Sequence, residues 1–335
     1  MAASSSISNS KIKRFIRSGI AILVLAIVFD WIIGALLGYL YFHQPNGDNA
    51  DTNYAIFKSD ADIFIIGPSL AKRHYDPRIF DSTLNLKTYN AGHDAQSLFY
   101  DLLLTKTIIK RKRPILIVLE LGAKELYFKG YANDRLDDLL PYCRAFPREA
   151  GFIINLENKR VLDTSSVGRK LLAFNTEKVK MLSRVYAYNS QIVSILQGYT
   201  THQESYSGFS PLLGALTEKR KSALLLQDSI TDAQQTHLDL DKVNALKEIF
   251  KIVNENRIKL VIARSPNLSP VNSVAADSVL KELCNEYKTP IIDHSNDKRF
   301  DKIELYHDNH LDIEGAELYS KMIASQIKDY LGSIQ

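Results

Sequence analysis

Two residues far apart in the chain have the types and surroundings that acyl chemistry needs. They are Ser69, in D-I-F-I-I-G-P-S, and His310, in Y-H-D-N-H-L-D-I-E-G-A. Attack on an ester carbonyl requires a hydroxyl, a base to take its proton, a group to orient the base and donors for the oxyanion. Ser69 supplies the hydroxyl and His310 the base. Asp308 and Asp312 are the carboxylates nearest His310 in sequence. Asp312 stands where the N-cap of a final helix belongs, which leaves Asp308 to orient the base. The Gly92 amide, just after a second strand, is a candidate oxyanion donor. A serine in this place also makes an ordinary helix cap, so Ser69 draws its weight from the pairing with His310.

The elements that must position these groups are legible as hydrophobic patterns. Ile63 to Ile66 is a short β-branched run cut off by Gly67-Pro68, the mark of a buried strand with Ser69 at its C-terminal end. Open α/β sheets keep their reactive groups at that end. Leu84 to Asn90, Ile115 to Leu119, Ile258 to Ala263 and Pro290 to Asp293 read as further strands. Helical spacing occupies Ser97 to Lys110, Leu240 to Asn254, Asp277 to Tyr287 and Ile313 to Leu331. This alternation predicts a three-layer α/β/α sandwich with a mostly parallel sheet. Residues 130–225 interrupt it with amphipathic helical patterns, such as Val179 to Leu196, and form a helical insertion.

The triplets G-P-S after the first strand and N-A-G after the second, with D-N-H-L-D-I-E-G-A before the last helix, resemble the SGNH (GDSL-like) hydrolase family. The likeness spans nearly all of residues 54–335. It is nearest to the membrane-anchored exported branch, which includes teichoic-acid D-alanylation and polysaccharide O-acetylation accessory proteins. The resemblance implies a flavodoxin-like fold and a Ser-His-Asp set acting on an acyl ester of a cell-envelope glycan, without metal or organic cofactor. Carried over, Ser69 matches the nucleophile and His310 the base, and Gly92, with Asn90, matches the oxyanion or substrate-binding position. Two departures stand out. The family's acid lies three residues before the histidine, where this chain has His307. Its third block carries an asparagine, where this chain reads L-E-L-G-A-K-E-L. Glu120, Lys124 and Glu125 in that block read as structural, and His74, His93 and His307 as surface or supporting residues. A non-catalytic protein that binds glycan or a membrane acyltransferase is the alternative these departures favour.

Charge and hydropathy place the domain. Lys11, Lys13, Arg14 and Arg17 account for the whole net charge of +4, since 38 basic residues then balance 38 acidic ones. That balance argues against nucleic acid as a partner. Residues 1–18 form a basic tail, 19–42 an apolar segment long enough to span a bilayer, and 43–53 a polar linker. The segment is longer than a signal-peptide core and lacks a small-residue cleavage site, so it reads as an uncleaved single-pass anchor in the cytoplasmic membrane. The basic flank puts the N-terminus in the cytoplasm and the domain outside. Asp30, inside the span, reads either as a tolerated acid or as the contact for a multi-pass membrane acyltransferase. Cys143 and Cys284 form no metal pattern and leave a single disulfide open. A reporter fused after Gln335 is expected to read as exported, with the N-terminus retained on the mature protein. Reporter activity in the cytoplasm would end the envelope reading.

Overall fold

The expected apolar runs become five strands, β1 Ile63–Ile66, β2 Thr88–Asn90, β3 Leu116–Glu120, β4 Lys259–Arg264 and β5 Ile291–Asp293. The computed structural model describes residues 9–122, 124–128, 130–164, 176–225, 237–268 and 274–332. All strand pairings are parallel, in the order β2-β1-β3-β4-β5. Successive strand residues point to opposite sides, and each side has its own apolar cluster. Phe64, Ile66, Ile117, Leu119 and Ile262 pack with helix α5 (Leu98–Arg111) and the helix Leu240–Glu255. Ile63, Ile65, Val118 and Val261 pack with α4 (Pro77–Leu84) and the final helix, Ile313–Gly332. Burial on both faces is why these strands read as continuous apolar runs rather than alternating ones.

Three regions differ from the sequence expectation. The strand expected from Leu84 starts only at Thr88, because Leu84 ends α4 and Asn85 turns the chain with φ 55°. The polar linker 43–53 contains the start of a helix, α2 (Asp48–Phe57), with Thr52 and Asn53 buried. Its acids serve a buried cation, since Lys72 Nζ lies 2.6 Å from Asp48 Oδ1 and 3.0 Å from Asp51 Oδ2. That pairing leaves no hydrophobic period to read. The single helix expected over Val179 to Leu196 is broken into a helix Thr176–Lys180, a 3-10 stretch Tyr186–Gln191 and a helix Ile192–Thr200.

The break follows from the first helix. Helix α1 (Asn9–Phe42) is long and apolar enough to cross a membrane. Its Asp30 carboxylate accepts hydrogen bonds from the Ser183 hydroxyl and from the amides of Arg184 (2.8 Å) and Val185 (3.3 Å). The chain itself therefore supplies hydrogen-bond donors to Asp30. Gly34, one turn on, has no room for a side chain, because a Cβ there would lie 2.3 Å from Arg184 Cβ. Cys143 and Cys284 are both buried and free. Residues 1–8 of the expected tail and residues 165–175 of the insertion lie outside the described residues.

Candidate active site

Ser69 opens α3 (Ser69–His74) immediately beyond β1. The chain winds from β1 to β2 on one side and then to β3 on the other, so the order reverses between β1 and β3, where such sheets form a crevice. The connection is tight. Gly67 has φ 145°, and a Cβ on it would lie 2.9 Å from both Cβ and the carbonyl oxygen of Glu120. His310 comes from the other end of the sequence, on a two-strand hairpin of β6 (Tyr306–His307) and β7 (His310–Leu311). The two meet, with Ser69 Oγ and His310 Nε2 at the hydrogen-bond distance of 2.8 Å.

Asp308 does not join them. His307 pairs directly with His310, so Asp308 and Asn309 are the two residues of the hairpin turn. Favoured two-residue turns need a positive φ at the first position, and Asp308 rather than Asn309 takes it, at 56°. The side chain leaves the tip toward Arg220, whose Nε and Nη2 donate to its carboxylate at 2.7 and 3.2 Å. Among the described residues no carboxylate bonds His310 Nδ1. The expected Asp308–His310 hydrogen bond is absent because the turn aims the acid away.

A buried histidine supports His310 instead. The Leu311 amide, next in the chain, donates to His74 Nε2 at 2.9 Å. An accepting Nε2 puts the His74 proton on Nδ1, which donates to Ser265 Oγ at 2.9 Å. Ser265 Oγ donates in turn to Glu120 Oε1 at 3.1 Å, and its amide reaches both carboxylate oxygens. Tyr75 donates to Glu120 Oε2, and the Tyr319 hydroxyl lies 3.2 Å from that of Tyr75. Burial, together with the charge His310 would carry, pushes His74 well below its usual range and keeps it neutral. Sequence reading placed Glu120 among structural residues and His74 among surface or supporting ones, and the relay they form has no local signature because its members lie far apart in the chain.

The expected oxyanion donors are occupied. The Gly92 amide donates to Asn90 Oδ1 at 2.9 Å, and Asn90 Nδ2 donates to the carbonyls of Ala71 (2.7 Å) and Tyr75 (2.9 Å). Asn90 thus ties α3 to β2. The Ser69 amide begins a helix and has no intrahelical acceptor. Missed by sequence reading, Arg73 pairs with Asp94, whose Oδ1 is buried without a hydrogen-bond partner among the described residues. His93 lies 3.7 Å from Asp48. His307 Nδ1 lies 3.1 Å from the Gly214 carbonyl oxygen. Burial pushes His310 down to about 4, with Asp94 raising it and Arg73 opposing that. At neutral pH His310 is therefore uncharged and able to accept the Ser69 proton.

Glu120 makes the relay sensitive to pH. Burial raises its carboxyl from 4.5 to about 7, against the hydrogen bonds of Tyr75 and Ser265. Between those values the folded chain holds a proton that the unfolded chain has lost, so folding stability falls as pH rises. The fall is expected to total about 3 kcal/mol in urea unfolding of the detergent-solubilised chain. A Glu120→Gln variant should show a flatter profile across that window, and an unchanged slope would remove Glu120 as its source. No protein-family model matches the chain, and no curated protein matches it significantly.

Proposed function

We propose that the chain is a membrane-anchored, extracytoplasmic SGNH-like acyl esterase or O-acyltransferase acting on acyl esters of a cell-envelope glycan. The observation that carries this reading is the 2.8 Å contact between Ser69 Oγ and His310 Nε2 beyond the C-terminal end of β1. The strand order 2-1-3-4-5, with separate apolar clusters on the two sheet faces, fits the flavodoxin-like three-layer sandwich that the resemblance implies. In this mechanism Ser69 Oγ attacks the ester carbonyl as its proton passes to His310 Nε2. The oxyanion forms beside the Ser69 amide, and the alcohol leaves with the proton from His310. Water or an acceptor hydroxyl then takes the acyl group from Ser69. No metal or organic cofactor enters the scheme. Helix α1 anchors the domain in the cytoplasmic membrane, with the basic tail inside.

The geometry also favours a slow catalyst. Among the described residues no carboxylate hydrogen-bonds the His310 ring, burial outweighs the favourable charge of Asp94, and the Gly92 amide is already bonded. Losing one oxyanion donor alone costs roughly 10²–10³ in kcat. These features are what a second reading rests on, a non-catalytic SGNH-fold protein that binds glycan or a membrane O-acyltransferase. A fluorophosphonate probe on the detergent-solubilised chain separates the two. Labelling at Ser69, slow hydrolysis of a short-chain ester and loss of both in a folded Ser69→Ala variant are expected. A folded wild type that neither labels nor hydrolyses would sink the enzyme reading in favour of the binding one.

A further inference from the structure

Where it is bonded to α1, the helical insertion also carries exposed apolar side chains. Val179, Leu182, Val193 and Leu196 are 62, 77, 65 and 61% exposed, with Ile192 and Tyr199 exposed beside them. Among the described residues, exposed large apolar side chains beyond α1 number 15, and six of them fall between Val179 and Tyr199. No Lys, Arg, Asp or Glu occurs between Arg184 and Glu204. An apolar concentration of this kind on a folded surface marks an interaction site.

Its height is set by α1. Ser183, Arg184 and Val185 are bonded to Asp30, and the Arg184 guanidinium lies 3.6 Å over the Trp31 ring. Tyr188 meets α1 at Gly38, where a Cβ would come 2.7 Å from its hydroxyl, and Tyr199 donates to the Leu40 carbonyl at 3.1 Å. About 20 helical residues cross a hydrocarbon core of about 30 Å. Counted from Ile12, after the first basic residue, the crossing ends near Trp31. Counted from Ser18, after the last basic residue Arg17, it ends near Leu37. Both limits bring the segment bonded to residues 30–40 to the headgroups or the upper acyl chains. A tryptophan with a cation on its face suits that level.

We infer that residues 179–199 seat in the lipid leaflet toward which α1 runs, with Leu182, Val193 and Leu196 inserted among the acyl chains. The occupant is lipid because this segment is bonded to residues 30–40 of α1, whose own apolar side chains Ile32, Ile33 and Leu36 are exposed over the same stretch. A partner helix has no polar group to answer at Asp30, whose carboxylate is already bonded within the chain. Attachment at both α1 and the insertion holds the domain in one orientation, where a single helix would let it swing. The inference rests on the reading of α1 as a membrane anchor and is independent of the chemistry at Ser69.

Single cysteines carrying an environment-sensitive fluorophore test it in the full chain, reconstituted into phosphatidylcholine–phosphatidylglycerol vesicles containing spin-labelled acyl chains. Labels at Leu182, Val193 and Leu196 are expected to lose most of their emission. A label at Leu318, on the helix across the sheet, is expected to keep its emission. A label at Leu25, within α1, reports on the anchor. Quenching at Leu25 without quenching at the three insertion sites would overturn the inference, leave the anchor standing and point to a protein occupant. No quenching at Leu25 would overturn the anchor and this inference together.

Discussion

The Leu311 backbone amide is buried and must find an acceptor, and His74 Nε2 is the one it has. A buried donor without a partner costs on the order of 1–3 kcal/mol, so this bond constrains the strand on which His310 sits. It also fixes the tautomer of His74 and hence the direction of the chain through Ser265 to Glu120. His310 is thus oriented through its backbone rather than by a carboxylate on its ring. The Ser69 contact follows, because Asn90 ties α3 to β2 and the relay ties β7 to α3.

Much of this was legible in order along the chain. The strands, the final helix and the Asp312 cap, whose Oδ1 accepts from the Gly315 amide at 2.9 Å, follow from local pattern. So does the placement of Ser69 and His310 at element ends. What was not legible depends on side-chain direction or on distant partners. A two-residue hairpin turn sends Asp308 outward, and counting residues from His310 does not reveal it. Gly92 seemed a free donor because the spacing does not show that Asn90 folds back onto its amide. The acids of α2 looked like linker because their partner, Lys72, lies beyond β1.

The same cation links the first helix to the site. α2 follows α1 after a few residues, and its Asp48 and Asp51 hold Lys72, one helical turn from Ser69. Removing one partner of such a buried cluster typically costs 3–5 kcal/mol, because the charges left behind remain desolvated. The position of α3 therefore depends on where α1 ends. On the proposed reading, this coupling and the insertion's contacts with α1 set the distance of Ser69 from the bilayer.

The central claim is that His310 bonds Ser69 as a neutral base, with no carboxylate among the described residues on its other nitrogen. Histidine-selective nitrogen NMR of the full chain in detergent, with pH lowered stepwise and His310 assigned by substitution, reads this directly. The account predicts a single neutral tautomer, protonated at Nδ1, that persists until pH approaches about 4. A His310 ring that becomes doubly protonated at or above its ordinary value of 6.5 would contradict it.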